Sequence, residues 1–157
     1  MTTTNMRIEE IIKSNVTLSD SKKIILNVMY THNVIGDKFS EILKPHDLSS
    51  EQYNVLRILR GQKGFPANMC VIQERMIAKN SNTTRLIDKL LLKDLVTREV
   101  CPDNRRKIEV QITQKGLDLL KYLDPMVIEH ENYFSSNLNP DEVVLLNDLL
   151  EKYRQLK

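Results

Sequence analysis

The chain has 157 residues, 41% of them hydrophobic and 28% charged, with only four glycines and no tryptophan. That is enough for one domain with a sizeable core, with or without an appended arm, and the scarcity of glycine beside many Leu, Ile, Lys and Glu points to a mainly helical fold. The formal net charge of +2 argues little by itself, but two cysteines without a CxxC, Cys70 and Cys101, argue against a zinc site or a disulfide framework.

Charge distribution says more than charge total. Between Arg57 and Lys107 there are 12 Lys and Arg against 5 Asp and Glu, a net +7, while the remainder carries a net −5. A basic middle between acidic flanks fits a polyanion-binding module held by a scaffold that stays off the polyanion. A merely solvated cationic face is the alternative. The opening Met1-Thr2-Thr3-Thr4-Asn5 is polar and no apolar run approaches a membrane span, so the expected compartment is the cytoplasm, with reduced thiols.

In chain order, residues 5–14 form a short amphipathic segment with Ile8, Ile11 and Ile12 on one side. Asp20 to Leu43 reads as a long helix with the stripe Ile25, Val28, His32, Ile35, Phe39 and Ile42, capped by Ser19 or Ser21 and ended by Pro45. Ser49 and Gln52 form a capping box before Tyr53, Val55, Leu56 and Leu59, and that helix stops near Gly61 to Gly64. Phe65-Pro66-Ala67-Asn68 is a connection able to pair briefly with a later ribbon. Met69 to Ile77 reads as a helix with Ile72, Met76 and Ile77 inward and Arg75 outward.

After a turn at Lys79-Asn80 comes a helix from Ser81 to about Leu92. Leu86, Leu90 and Leu91 are expected inward, Asn82, Arg85 and Lys89 on a polar face, and Ser81 as the cap. Leu95 to Val100 and Ile108 to Ile112 alternate apolar and polar residues, which is the pattern of a two-stranded ribbon. Its turn carries the consecutive cations Arg105, Arg106 and Lys107. Thr113 caps a helix carrying Leu117, Leu120, Leu123 and Val127, with a kink expected at Pro125. Asn139-Pro140-Asp141-Glu142 starts a last helix with Val143, Leu146, Leu149, Leu150, Tyr153 and Leu156.

Two short helices, the second studded with amide, hydroxyl and guanidinium groups, followed by a cationic ribbon, make a winged helix-turn-helix. The expected fold is mainly α with a small β ribbon, with N- and C-terminal dimerisation helices. The dimerisation region is expected at 1–45 and 114–157, and the DNA-binding domain at 46–113. The candidate DNA contacts are Arg75, Ser81, Asn82, Thr83, Thr84, Arg85, Lys89, Arg105, Arg106 and Lys107. Asparagine pairs with adenine, Arg85 takes guanine O6 and N7 or clamps a phosphate, and Lys89 meets a phosphate. Arg105 or Arg106 enters the minor groove, which favours arginine where A/T content narrows it.

His32, His46 and His130 fall on different elements, and no glycine-rich phosphate loop or Cys–His pairing occurs. An enzyme, a cofactor and a metal are therefore not expected. The rival is a helical interaction module whose winged motif is scaffold only or binds nucleic acid without sequence preference.

The order Leu48-Ser49-Ser50-Glu51-Gln52, Ser81-Asn82-Thr83-Thr84-Arg85-Leu86-Ile87-Asp88-Lys89-Leu90, Asp103-Asn104-Arg105-Arg106 and Ile112-Thr113-Gln114-Lys115-Gly116 resembles the MarR family of bacterial transcription regulators. The resemblance spans nearly the whole chain. It implies a homodimer binding a pseudo-palindromic operator, usually as a repressor released by a small, often aromatic, effector or by thiol oxidation. Counting back from Thr113 makes Arg106 the wing arginine. The family's bracing Asp position holds Asn104, with Asp103 one step early. The family's Lys-Gly-Leu is here Lys93-Asp94-Leu95, and the reactive first-helix cysteine of redox-sensing relatives is missing. The implied effector pocket lies near Tyr53, His32 or Phe39.

Overall fold

The computed structural model describes residues 6–100 and 108–155 and divides the chain into two units, Met1–Lys38 and Phe39–Lys157. In the first, a short helix α1 (Ile8–Ile11) precedes the long helix α2 (Asp20–Leu43), which continues into the second unit. Ser19 is the cap of α2, its Oγ accepting from Lys22 N at 3.4 Å and its carbonyl from Lys23 N at 3.0 Å. Lys23 also pairs with Glu9 at 2.8 Å, and that hydrogen bond holds the Glu9 carboxyl below its ordinary pKa. Only Ile8 of the three α1-region isoleucines is buried; Ile11 is half-buried and Ile12 exposed.

The α2 stripe is present, but Ile25, Val28, His32 and Ile35 all lie on the surface of the chain. An exposed apolar stripe of this kind is the surface type that protein–protein contacts cover.

Within the second unit, Pro45 turns the chain after α2 through a 3-10 turn, Lys44–His46, and Asp47 takes a left-handed conformation. Helix α3 (Ser50–Arg60) opens on the expected capping box, with Ser49 Oγ accepting from Gln52 N and Gln52 Oε1 from Ser49 N. It ends at Gly61. Strand β1 (Ala67–Asn68) leads into α4 (Met69–Arg75), then come α5 (Thr83–Leu91), β2 (Val96–Val100), β3 (Ile108–Ile112), α6 (Gln114–Ser135) and α7 (Pro140–Tyr153). The strands form one antiparallel sheet in the order β1-β3-β2, registered by Ala67↔Val110 and Arg98↔Val110. The ribbon thus gains a third strand from the 65–68 connection.

The core of this unit holds Val55, Leu56, Leu59, Ile72, Met76, Ile87, Leu90, Val110, Leu120 and Leu123, each at most 1% exposed. Two expectations need correction. Ile77 is 81% exposed, because α4 stops at Arg75: Met76 is extended, and the Lys79 ammonium donates to the Glu74 carbonyl, drawing the chain out of the helix. On α5 the fully buried pair is Ile87 and Leu90, while Leu86 and Leu91 are half-buried. Each fully buried aliphatic side chain stabilises the unit by roughly 2 kcal/mol.

Thr113 caps α6 through Gly116 N at 3.1 Å, and Pro125 lies inside α6. Arg60 forks onto Asp124 at 2.8 and 3.0 Å, joining α3 to α6. Asn139 and Glu142 cap α7 reciprocally, with Pro140 at its first position. On α7, Leu146, Leu149, Leu150 and Tyr153 are all exposed. No helix among the described residues is long and apolar enough to cross a membrane, and no group among them could hold a metal ion.

Candidate nucleic-acid interface

Helix α5 is mounted on its apolar back, with Ile87 and Leu90 sunk into the core, so its other face is free to meet a ligand. Asn82, not Ser81, is the cap: Asn82 Oδ1 accepts from Arg85 N at 3.1 Å. Ser81 is half-buried and belongs to the preceding turn, its N donating to the Ala78 carbonyl at 3.1 Å. Using Oδ1 for the cap leaves the Asn82 amide nitrogen to donate outward.

Thr83 is turned inward. It is 5% exposed and its hydroxyl donates to Gln73 Oε1, while Gln73 Nε2 donates to the Lys79 carbonyl at 2.7 Å. This chain of bonds sets α5 against α4, so Thr83 is a structural member of the motif and not part of the outward set. Thr83→Val removes the donor and leaves the Gln73 oxygen unmatched. The folded state is expected to lose about 1–2 kcal/mol, read as a lowered denaturant midpoint.

Arg75, Asn82, Thr84, Arg85 and Lys89 are exposed, and no acidic side chain is bonded to any of them among the described residues. The charges of Arg75, Arg85 and Lys89 are available to a polyanion. At the start of α5 the unsatisfied backbone N–H groups and the positive end of the helix dipole add to that field. Arg105, Arg106 and Lys107 lie outside the described residues, as does Cys101. Cys70 is a free, exposed thiol.

Sequence reading missed the group that braces the ribbon. Arg98 Nη1 of β2 meets Asp88 Oδ1 of α5 at 2.6 Å. Both side chains are 39–51% exposed, so the pair adds little stability, but it links the ribbon to the helix. Nothing local marks it: the partners are ten residues apart on elements of different type and meet only because β2 packs on α5.

The turn from α5 to β2 contains the non-glycine residue Asp94 at a left-handed φ of 56°. It is held by Thr113 Oγ1, which donates to the Asp94 carbonyl at 2.7 Å, and by an ion pair with Lys115 at 3.5 Å. Phe39 and Tyr53, near which an effector pocket was expected, pack edge to face with centroids 5.2 Å apart. Burial raises the Tyr53 phenol pKa above its usual range, so the ring stays neutral.

Residues 48–108 match the model of the MarR family. Among curated proteins, the transcriptional regulator MhqR of Bacillus subtilis is 26% identical over 132 residues, covering 84% of this chain and 90% of that one. A MarR transcription factor from Planctomyces limnophilus is 33% identical, covers 87% of this chain and 98% of its own, and superposes with a TM-score of 0.67. A mutant E. coli MarR complexed with operator DNA shares the fold, with a TM-score of 0.76, 22% identity, and 94% and 98% coverage. The order of the elements, the outward cationic face of α5 and these matches agree, and the chain belongs to the MarR family of transcription regulators.

Proposed function

We propose that this regulator is a cytoplasmic homodimeric repressor that reads a pseudo-palindromic operator through α5 and is released by a small-molecule effector. In this reading residues 46–113 are the DNA-binding domain, and 1–45 with 114–157 the dimerisation region. The observation that carries it is the outward face of α5, where Asn82, Thr84, Arg85 and Lys89 stand exposed on a helix anchored from behind. An α-helix fits the major groove, and in this reading the exposed Arg85 reads guanine or grips a phosphate there. Ser81 backs the helix start, Arg75 adds a backbone contact from α4, and Arg105, Arg106 or Lys107 reaches the adjacent minor groove. The exposed apolar residues of α2 and of α7 support the dimer, since a two-fold pair sets two reading helices roughly 34–36 Å apart, one DNA turn.

The test is a gel-shift titration against the upstream region of the protein's own gene at two salt concentrations. Arg85→Ala is expected to lose about 1–3 kcal/mol of preference for operator over random DNA. Arg106→Ala is expected to weaken both alike and to lower the salt slope by about 0.9. No shift even at low salt would sink the reading and favour an interaction module.

A further inference from the structure

Helix α6 serves two environments. Before Pro125, Leu120 and Leu123 are set into the same core as Leu56 and Leu59 of α3. Beyond Pro125 only Val127 of this helix is buried, while Ile128 and Tyr133 are 55% and 61% exposed. There His130 meets Phe39 at the C-terminal end of α2, with ring centroids 5.3 Å apart. The inner half belongs to the winged core, and the outer half has left it.

Between the halves the helix lacks one of its own hydrogen bonds. Proline has no N–H, so the Lys121 carbonyl receives none from position 125, and the ring crowds that carbonyl. Helices bend at such places. Asp124, one residue earlier, is held from outside the helix. Arg60, the last residue of α3, sets a single nitrogen, Nη1, on both of its carboxylate oxygens, at 3.0 and 2.8 Å. The guanidinium also stands at the negative end of the α3 dipole, which favours a cation. Arg57, one turn back, lies over the Tyr53 ring instead, 6.0 Å from its centroid.

The side chains of the pair are 36% and 38% exposed, too open to add much stability. Its place gives it leverage. From Pro125 to Ser135 the outer half spans about 15 Å at about 1.5 Å per residue. A swing of about 13° at Pro125 therefore moves its far end by about 3.4 Å, one base-pair step.

We propose that Arg60 is a positioning residue for operator recognition. By clamping Asp124 beside Pro125 it fixes the angle at which the outer half of α6 leaves the winged core. That angle sets the half-site spacing a two-fold pair of chains accepts. The spacing rests on the dimeric, operator-binding reading above; the clamp does not.

The clamp is tested on the full chain without DNA, by electron-spin distance measurement between labels at Leu92→Cys of α5 and Asn132→Cys of α6. The background is Cys70→Ser with Cys101→Ser, diluted with unlabelled chain. The parent is expected to give one narrow distance, and Arg60→Gln and Asp124→Asn a broadened one. Arg60→Lys is expected to restore the narrow distance, because one nitrogen makes both bonds. The spacing is tested by gel shift on the site footprinted upstream of the protein's own gene, and on that site with one base pair added or removed at its centre. The parent and Arg60→Lys are expected to lose about tenfold or more on the altered duplexes, and Arg60→Gln and Asp124→Asn less than about threefold. Distances as narrow in Arg60→Gln as in the parent would overturn the clamp. So would a loss of affinity equal on all three duplexes, which is what a merely structural residue gives. Broadened distances with no shift of any duplex by the parent defeat the DNA reading and leave the clamp standing.

Discussion

Replacing Gly116 with valine is expected to lower the stability of the fold by about 3 kcal/mol or more, among the largest effects of any single change away from the aliphatic core. Gly116 is buried in the first turn of α6, immediately after the cap Thr113. A Cβ built there would drive into the Leu95 carbonyl and lie 2.7 Å from Ile112 Cγ1. The carbonyl cannot yield, because it already accepts from Thr113 N at 3.1 Å, closing the end of the β2–β3 ribbon. Relief therefore requires α6 to lift off the sheet, carrying Leu120 and Leu123 with it. At fixed protein concentration the melting temperature is expected to fall by about 10 °C, and alanine at the same position by somewhat less. A melt unchanged by Gly116→Val would show that helix and ribbon are not in contact at this point.

The second large effect is quaternary. Leu146→Asp with Leu150→Asp on α7 is expected to convert a dimer into a monomer in analytical ultracentrifugation and to weaken operator binding on the order of 10²-fold or more. Both leucines are exposed in the single chain, 45% and 39%, so the substitutions leave the intrachain core untouched. In a two-fold interface each new carboxylate faces an apolar surface or its own symmetry copy, and an unpaired charge there is strongly unfavourable. DNA affinity falls because two half-site contacts no longer share one complex. A double variant that still sediments as a dimer would remove α7 from the proposed interface.

Much of the fold was legible in the residues. Ser49 with Gln52, Thr113, and Asn139 with Pro140 marked three helix starts, because capping is a local device written within four residues. The stripe of α2 was equally readable, but periodicity says only that a face is apolar. What covers that face is a property of the assembly. The misplaced features turned on side-chain contacts that periodicity does not encode, apart from the cap of α5, which passed from Ser81 to its neighbour Asn82. Thr83 looked like an outward hydroxyl until Gln73, ten residues earlier, drew it inward. Ile77 looked like the next inward position of α4 until the Lys79 side chain took a carbonyl and ended the helix. At the site, the residue types were readable while their division of labour was not. Asn82 spends its oxygen on the helix start, Arg98 braces Asp88, and Lys89 also lines a cleft.

Asn68 stands at a junction with consequences for how the protein would meet a bent duplex. It pairs with Glu109 as part of β1, and its Oδ1 accepts from Val71 N at 3.0 Å, opening α4. The sheet edge and the first helix of the motif therefore share one residue with no slack between them. A ribbon tilted by a distorted minor groove must swing α4 as well, and through Gln73 and Thr83 it must turn α5. On the proposed operator reading, such a molecule would gauge the separation of neighbouring grooves as a rigid caliper does, and sequences that resist the required width would be rejected even where no side chain touches a base.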